Sequence, residues 1–453
     1  MNIVCIGAGY VGSVTAAAFA VLGHTVTVID LDPRKIEAIR AGTSPIYEPG
    51  LQELLHECAG TTLFASHDYD AVGRASVVFI CVGTPSKADL TADLSYVKEA
   101  ARTIGRHLNP DHYTVIVNKS TVPVGTADLV SSLIEETSGL TSGKDFDVVS
   151  NPEFLREGYA VEDVFYPDRI IIGTDSSRAK TVMRSLYGPV LNREGYEMLR
   201  GAVPAPGTRP PAVWFESGTK SAELIKYASN AFLAVKISYI NEMARLCETL
   251  GADVTDVAKG MGLDSRIGHK FLEVSSGWSG SCFPKDTAEL LATSRKYGCE
   301  QSITAAAVEA NDRMLLYCVS KVQSRLKSLP GKTVGLLGLT FKPNTDDARQ
   351  TQAQVMARQL ESLGARVKVH DPQGMEMFRR LNPDLAVEYC ESPEQVLAGA
   401  DAAVLLTHWD CYLAMDWESA RPAMKVPYLL DTRNVLDSRK MLQWGYVYEG
   451  LGK

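Results

Sequence analysis

No Cys-x-x-Cys pair or finger-like cysteine spacing occurs in this chain of 453 residues, which excludes the common zinc frameworks and a disulfide-stapled scaffold. The nine cysteines stand apart at positions 5, 58, 81, 247, 282, 299, 318, 390 and 411, an odd count that reads as reduced thiols. The eight histidines form no His-x-x-x-His or similar cluster, so no metal site is expected. Positive charge is in deficit: 46 Lys and Arg against 54 Asp and Glu leave a formal charge of −8. That balance lacks the basic excess that binding to a phosphate backbone requires, and no nucleic-acid partner is expected. Thr, Gly and His interrupt the apolar runs before they reach the ~18 residues of a membrane span. The first Lys or Arg is Arg34, too late for the charged start of a secretory signal. A soluble, cytoplasmic protein with no membrane partner is the expectation.

What is present is an ordinary globular balance, 45% apolar and 22% charged, with length for about three domains at roughly 150 residues each. Asn2-Ile-Val-Cys-Ile6 runs into Gly7, Gly9 and Gly12 and then an Ala-rich stretch, which reads as strand, tight turn and helix. Strand-like runs follow at Thr25–Ile29, 76–82, 114–118 and 146–149, separated by helical stretches, so a parallel sheet with crossover helices is expected. From Gly218 to Leu250 the pattern becomes a long helix with Leu224, Ile225, Ala228, Ala231, Phe232 and Val235 at helical spacing. Helical signals continue from Lys285 to Leu326, and strand alternation resumes after Pro330-Gly331. The segment from Leu22 to Pro33 resembles the one from Leu363 to Pro372, so two α/β domains of related build flank a helical one. The second copy has only Gly335 and Gly338 before Thr340-Phe-Lys342, and is expected to bind something other than a dinucleotide. The boundaries expected are 1–212, 213–328 and 329–453. Gly201–Pro211 reads as a turn-rich surface excursion.

Gly7-x-Gly9-x-x-Gly12 between a strand and a helix, with Asp30 closing the next strand, is the context in which glycines admit a pyrophosphate to a helix N-terminus. Asp30 can accept from an adenosine ribose and repels a 2′-phosphate, which favours NAD over NADP. The competing account is a glycine turn that only packs helix on strand. A Tyr-x-x-x-Lys match at Tyr317 and Lys321 falls in the helical middle and reads as chance. In Gly277-Trp-Ser-Gly-Ser-Cys282-Phe-Pro-Lys285-Asp286, a thiol on a glycine turn beside a lysine can shift toward the thiolate that attacks an aldehyde, with Asp286 near enough to orient water. Lys226 and Asn230, four apart, share one helix face and could hold a sugar hydroxyl or a developing oxyanion; the alternative is a solvated face. Asn151-Pro-Glu153-Phe-Leu-Arg-Glu157 places two carboxylates four apart near the end of the first sheet, and Lys119-Ser-Thr121 ends a strand with hydroxyls beside the expected nicotinamide.

Taken in order, Gly7 to Gly12, Tyr47-Glu-Pro-Gly-Leu51, Val82-Gly-Thr-Pro85, Lys119 to Gly125, Asn151 to Glu157, Lys226-Tyr-Ala-Ser-Asn230, Cys282 to Asp286 and Phe341-Lys342 resemble the UDP-glucose 6-dehydrogenase branch of the UDP-glucose/GDP-mannose dehydrogenases. The resemblance implies two Rossmann-like parallel-sheet domains joined by a central α-helical dimerisation domain. It implies a four-electron oxidation of a nucleotide sugar at carbon 6 with two NAD, through a thiohemiacetal and a thioester on Cys282. Asp286 and Lys226 are similar to the pair that orients water and stabilises charged oxygen, with Thr121 and Asn230 assisting and Glu157 in the hydrolytic step. Cofactor contacts are implied for Gly7, Gly9, Tyr10, Val11, Gly12, Asp30, Lys35, Thr84, Thr121, Glu157, Lys285 and Arg349. Substrate contacts are implied for Glu153, Phe154, Leu155, Lys226, Asn230, Phe271, Gly277, Lys342 and Arg433. Arg266 resembles an arginine lent across the interface of a homodimer or larger homo-oligomer.

Two departures stand out: the family usually has glycine where Ser279 stands, with a smaller aromatic at Trp278, in a loop the resemblance brings to the sugar, and the proline-rich excursion near 201–211 is longer than is usual for the family and reads as a surface insertion. Rival substrates for the same chemistry are GDP-mannose, dTDP-glucose and a UDP-N-acetylhexosamine. A non-catalytic NAD-binding regulator would show damage at Cys282, Asp286 or Lys226, and all three are intact.

Overall fold

Short strands that are apolar throughout must be covered on both faces, and the chain meets this with two sheets wrapped by helices. The computed structural model describes all residues except 200, 204 and 206, so part of the Gly201–Pro211 excursion lies outside the described residues. The first sheet contains β1 (Asn2–Ile6), β2 (Thr25–Ile29), β3 (Leu63–Ser66), β4 (Val77–Ile80), β5 (Thr114–Asn118), β6 (Phe146–Ser150), β7 (Arg169–Gly173) and β8 (Val213–Ser217). Their order is β3-β2-β1-β4-β5-β6-β7-β8. The first six are parallel in the dinucleotide-binding order; β7 meets β6 antiparallel at Ser150 and Gly173 and pairs parallel with β8.

The second sheet repeats that order with β9 (Thr333–Leu337), β10 (Arg366–His370), β11 (Val387–Tyr389), β12 (Ala402–Leu405), β13 (Tyr428–Asp431) and β14 (Val447–Gly450), arranged β11-β10-β9-β12-β13-β14 and parallel throughout. The chain is therefore an α/β protein with two Rossmann-like sheets and helices between them. The chain divides into two compact units, Met1–Ala228 and Ser229–Lys453, with the division inside the helix Thr219–Leu250.

The aspartates that close the second strand of each sheet differ in what they serve. Asp30 accepts from the Ala8 N–H at 2.6 Å and the Asp32 N–H at 2.8 Å. Asp371 accepts from the N–H groups of Leu339 and Thr340 and from the Trp409 indole N–H at 3.0 Å, while that indole also reaches Thr340 Oγ1 at 3.1 Å. A buried tryptophan thus stands at the turn of the second copy, where its indole N–H is shared by Asp371 and Thr340.

The buried face of the long helix mixes apolar and polar residues: Ala222, Tyr227, Ala231, Ala234 and Ile240 are buried, and of the positions picked out by apolar spacing only Ala231 is among them. Glu223, Lys226, Asn230, Ser238 and Asn241 are buried, whereas Leu224 and Phe232 are 46% and 65% exposed. The Tyr317 and Lys321 pair is structural: Lys321 Nζ donates to Glu248 and Glu449, each at 2.6 Å, and the Tyr317 hydroxyl also donates to Glu248. Among the described residues no helix is long and apolar enough to cross a membrane.

Trp409→Ala is expected to destabilise the Ser229–Lys453 unit by about 3–5 kcal/mol through cavity formation. Trp409→Phe, which removes the N–H shared by Asp371 and Thr340 and part of the ring volume while keeping an aromatic in place, should cost less, about 1–3 kcal/mol. Urea midpoints of the two variants check the ordering.

Candidate active site

Each glycine of the first turn has its own physical reason. Gly7 has φ of +104°, and a Cβ there would lie 2.7 Å from the Cys81 carbonyl oxygen; a Cβ on Gly12 would lie 1.8 Å from the Gly7 carbonyl oxygen. Gly9 differs, since a Cβ there would meet nothing within 4 Å. The protein itself leaves that side of Gly9 open, at the uncapped N-terminus of the helix Tyr10–Val21, as close approach of a pyrophosphate requires. Tyr10 and Val11 open the same helix. Lys35 Nζ stands 3.7 Å from Asp30 Oδ2, so the acidic position carries a neighbouring cation. Thr84 Oγ1 donates to the Thr121 carbonyl at 2.8 Å, linking the turns after β4 and β5.

In the same unit, Lys226 Nζ donates to Glu153 Oε1 at 3.0 Å, with both side chains buried. Burial pushes the Glu153 carboxyl up, but the charge and hydrogen bond of Lys226, the Leu155 N–H at 2.6 Å and Lys119 together hold it below the ordinary value. Phe154 lies between two cations, with the Arg169 guanidinium 3.9 Å and Lys226 Nζ 5.2 Å from its ring centre. Leu155 packs against the core, and Glu157 is half-buried. A small polar cavity lined by Asn118, Thr121, Ser150, Glu223 and Lys226 offers about 10 Å³, room for about one water.

The second unit holds the thiol. Cys282 is half-buried and caps the helix Phe283–Lys296, whose N-terminal partial charge favours a thiolate. Of the remaining cysteines, Cys5, Cys81 and Cys318 are fully enclosed, and burial pushes Cys81 and Cys318 up to about 12. Asp286, one turn after Cys282, is 1% exposed; it accepts from Asn230 Nδ2 at 2.6 Å and from Lys285 Nζ at 2.5 Å. Asn230 is therefore engaged with a carboxylate and does not lie on a solvated face. Phe271 adopts a left-handed φ of +64°, strained for a bulky residue, with its ring 6.4 Å from Phe283. Gly277 has φ of +125°.

Arg433 donates through Nε to the Leu406 carbonyl at 2.6 Å, and loss of solvent lowers its guanidinium to about 10. With Asn434 it borders a cavity of about 290 Å³ whose other walls include Thr255, Lys259, His269 and Glu273. Lys342 Nζ stands 5.3 Å from the Phe341 ring centre. Arg349 pairs with the buried Asp347 at 2.8 Å, and Arg266, exposed, pairs with Asp264 at 2.6 Å. Trp278 is 6% exposed and its indole points inward to Ser238 Oγ at 2.9 Å. Among the described residues no group of three or more His, Cys, Asp and Glu side chains could hold a metal.

Sequence reasoning missed the carboxylates that hold the loops. Glu48 accepts from the N–H groups of Gly158 and Ala160 at 2.6 and 2.7 Å, fixing the segment after Glu157. Glu223 accepts from Gly125 and Ala127 at 2.7 and 2.8 Å and from Ser150 Oγ at 3.2 Å. Glu48 stands inside the quoted Tyr47-Glu-Pro motif, so a signal for it existed; Glu223 had none beyond its place one turn before Lys226.

Comparison with known proteins agrees with this geometry. Three domain descriptions of the UDP-glucose/GDP-mannose dehydrogenase family match in order: the NAD binding domain over residues 1–191, the central domain over 220–313 and the UDP binding domain over 335–438. A UDP-glucose 6-dehydrogenase of Rhizobium meliloti is 43% identical over 459 residues, covering 100% of both chains. The solved UDP-glucose dehydrogenase of Pyrobaculum islandicum superposes with a TM-score of 0.88 at 39% identity, covering 99% of this chain and 97% of that one. A UDP-D-ManNAc dehydrogenase of Pyrococcus horikoshii gives 0.82 at 26% identity, covering 100% and 99%. With an NAD-binding sheet, a second sheet with a tryptophan at the corresponding turn, and full-length relatives on both counts, the chain belongs to the UDP-glucose/GDP-mannose dehydrogenase family of NAD-dependent oxidoreductases.

Proposed function

We propose that the protein oxidises the carbon-6 alcohol of UDP-glucose to the carboxylate of UDP-glucuronate, with Cys282 holding the sugar as thiohemiacetal and then thioester. The observation that carries the reading is the cluster of Cys282, Lys285 and Asp286 at the head of one helix, with Asn230 of the long helix donating to Asp286. A half-buried thiol at a helix N-terminus is a nucleophile, and a buried carboxylate one turn away can orient water. UDP-glucose is favoured over the N-acetylhexosamine sugars because the solved UDP-glucose dehydrogenase is 39% identical, against 26% for the UDP-D-ManNAc enzyme.

NAD, when bound, supplies the hydride acceptor for each of two oxidations. Gly7, Gly9, Tyr10, Val11 and Gly12 would hold its pyrophosphate, with Asp30 and Lys35 at the adenosine ribose and Thr84, Thr121, Glu157, Lys285 and Arg349 completing its contacts. Lys226 and Asn230 steady the oxygen at carbon 6 as charge develops. The Cys282 thiolate adds to the aldehyde carbon, forming a C–S bond while the oxygen takes a proton. After the second oxidation, water held by Asp286 attacks the thioester carbon, assisted by Glu157, and expels the thiolate. Water supplies the second carboxylate oxygen, so each sugar consumes two NAD and one water.

Glu153, Phe154 and Leu155 border the sugar, as do Phe271 and Gly277, while Lys342 and Arg433 serve the diphosphate and the cavity beside Arg433 takes the nucleotide. The roles divide as cofactor binding in 1–212, assembly in 213–328 and nucleotide-sugar binding in 329–453. Phe232, Tyr239 and Leu246 recur at seven-residue spacing and stay exposed on the long helix at 65%, 47% and 48%. An apolar stripe of that kind fits a second copy of the chain, to which Arg266 is lent.

With limiting UDP-glucose and excess NAD, two NADH should form per sugar, and GDP-mannose, dTDP-glucose and UDP-N-acetylhexosamines should release NADH more slowly; one NADH per sugar would reduce the reaction to a simple alcohol oxidation. Cys282→Ala should abolish acid formation, read by product chromatography. The Glu153 carboxyl is lower in the folded state than in the unfolded one, so the buried pair stabilises fully above the unfolded value of about 4.3 and is lost as pH falls through the folded value. Glu153→Gln should flatten that acid limb in urea unfolding followed from neutral to acid pH.

A further inference from the structure

The turn carrying Cys282 is gripped by side chains that the chemistry above leaves unused. Asn311, 6% exposed, spends both ends of its amide on a single residue: Oδ1 accepts the Trp278 N–H at 2.7 Å and Nδ2 donates to the Trp278 carbonyl at 3.0 Å. Gln352 Nε2 donates to the same carbonyl at 2.9 Å. The Trp278 indole N–H donates to Ser238 Oγ, and that hydroxyl donates in turn to the Ala307 carbonyl at 2.7 Å. The indole stands edge-on to Phe283, the residue after Cys282, with ring centres 6.4 Å apart.

The turn has no room to shift toward these partners. A Cβ on Gly277 would lie 2.6 Å from Asn311 Oδ1 and 2.7 Å from Gln352 Nε2, and one on Gly280 would lie 2.8 Å from the Phe341 ring. The Gly280 N–H donates to the Gln350 carbonyl at 3.3 Å. On the far side of the thiol the Asp286 N–H closes the first helical turn onto the Cys282 carbonyl at 3.0 Å. The segment is thus held at Trp278, at Gly280 and at the helix head, with Cys282 between the last two.

We propose that Trp278 and Asn311 are positioning residues for the nucleophile, with Ser238 as the anchor through which the indole acts. An amide bonded to both the N–H and the C=O of one residue fixes the local path of the chain, and a buried indole held by a hydroxyl fixes its rotation. The ångström-scale placement of a nucleophile decides the rate of its attack more than the affinity of the substrate. Trp278 therefore sets the turn from within, and hexose preference does not run through its side chain. The inference rests on Cys282 being the nucleophile.

The test uses the full chain with Trp278→Phe, Ser238→Ala, their double variant, Ser238→Thr and Asn311→Ala. Alkylation of Cys282 by iodoacetamide is followed on its own peptide by mass spectrometry, because Cys299 and Cys411 are also exposed. Trp278→Phe and Ser238→Ala should each change that rate by about fivefold or more and lower kcat about tenfold, with KM for UDP-glucose within about twofold. The double variant should be clearly less impaired than the product of the two singles, because both break the same indole–hydroxyl bond, and Ser238→Thr should restore the starting behaviour. Asn311→Ala should move both readouts further in the same direction. Alkylation and kcat unchanged in both singles, even with a lowered Tm, would overturn the proposal. Cys282→Ala run alongside keeps the two ideas separate: acid formed without the thiol would end the nucleophile reading, while the alkylation rates would still report the position of the turn.

Discussion

A long helix that buries polar side chains among apolar ones needs partners for them, and most of those partners are supplied by neighbouring loops, Asn241 Nδ2 being left without one among the described residues. Along Thr219–Leu250 the buried residues include Glu223, Lys226, Asn230, Ser238 and Asn241. Within the first unit Glu223 is met by the N–H groups of Gly125 and Ala127, and Lys226 by Glu153. Within the second, Asn230 meets Asp286, Ser238 meets Trp278 and Ala307, and Asn241 accepts the Ser275 N–H at 2.9 Å. An unpaired buried polar group costs on the order of 1–3 kcal/mol, and a charged one more. In the first unit the answering groups lie on the loops after Thr121 and at Glu153, and in the second on the turn before Cys282 and at Asp286, so in each unit the helix is tied to the loops that carry candidate residues.

The two sheets show how one strand order serves different ends. In the first, Gly9 is open to a ligand and Asp30 stands beside Lys35. In the second, Asp371 collects backbone N–H groups and an indole, and Trp409 stands at the turn. The aspartate accepts backbone N–H groups in both copies, and only in the second does it also take an indole N–H. What changes between the copies is the large side chain that stands at the second turn.

Much of the architecture could be read from the chain. Five-residue, β-branched-rich strands followed by glycine or aspartate mark β1, β2, β9 and β10 and their kinship in the sequence. The Cys282 turn was singled out by its glycines and by its lysine and aspartate neighbours. The long helix was found, yet its buried face was misjudged, because apolar spacing marks a core only when no second surface claims the apolar side. For Lys226 and Asn230 the sequence leaves a solvated face and a working one both open, and burial excludes the solvated face. Trp278 lies in the loop that the resemblance brings to the sugar, and the structure turns its indole inward to Ser238.

The sequence by itself determined the elements, their repeat, the glycine turn for NAD and the identity of the distinctive cysteine, since these follow from short-range patterns of size, polarity and backbone freedom. Tertiary structure alone decided which of several carboxylates act as caps, which lysine is buried against Glu153, and which face of the long helix is interior. Those choices depend on partners far apart in the chain, as with Glu48 and Gly158 or Asn230 and Asp286, and no local pattern encodes a hydrogen bond across that separation.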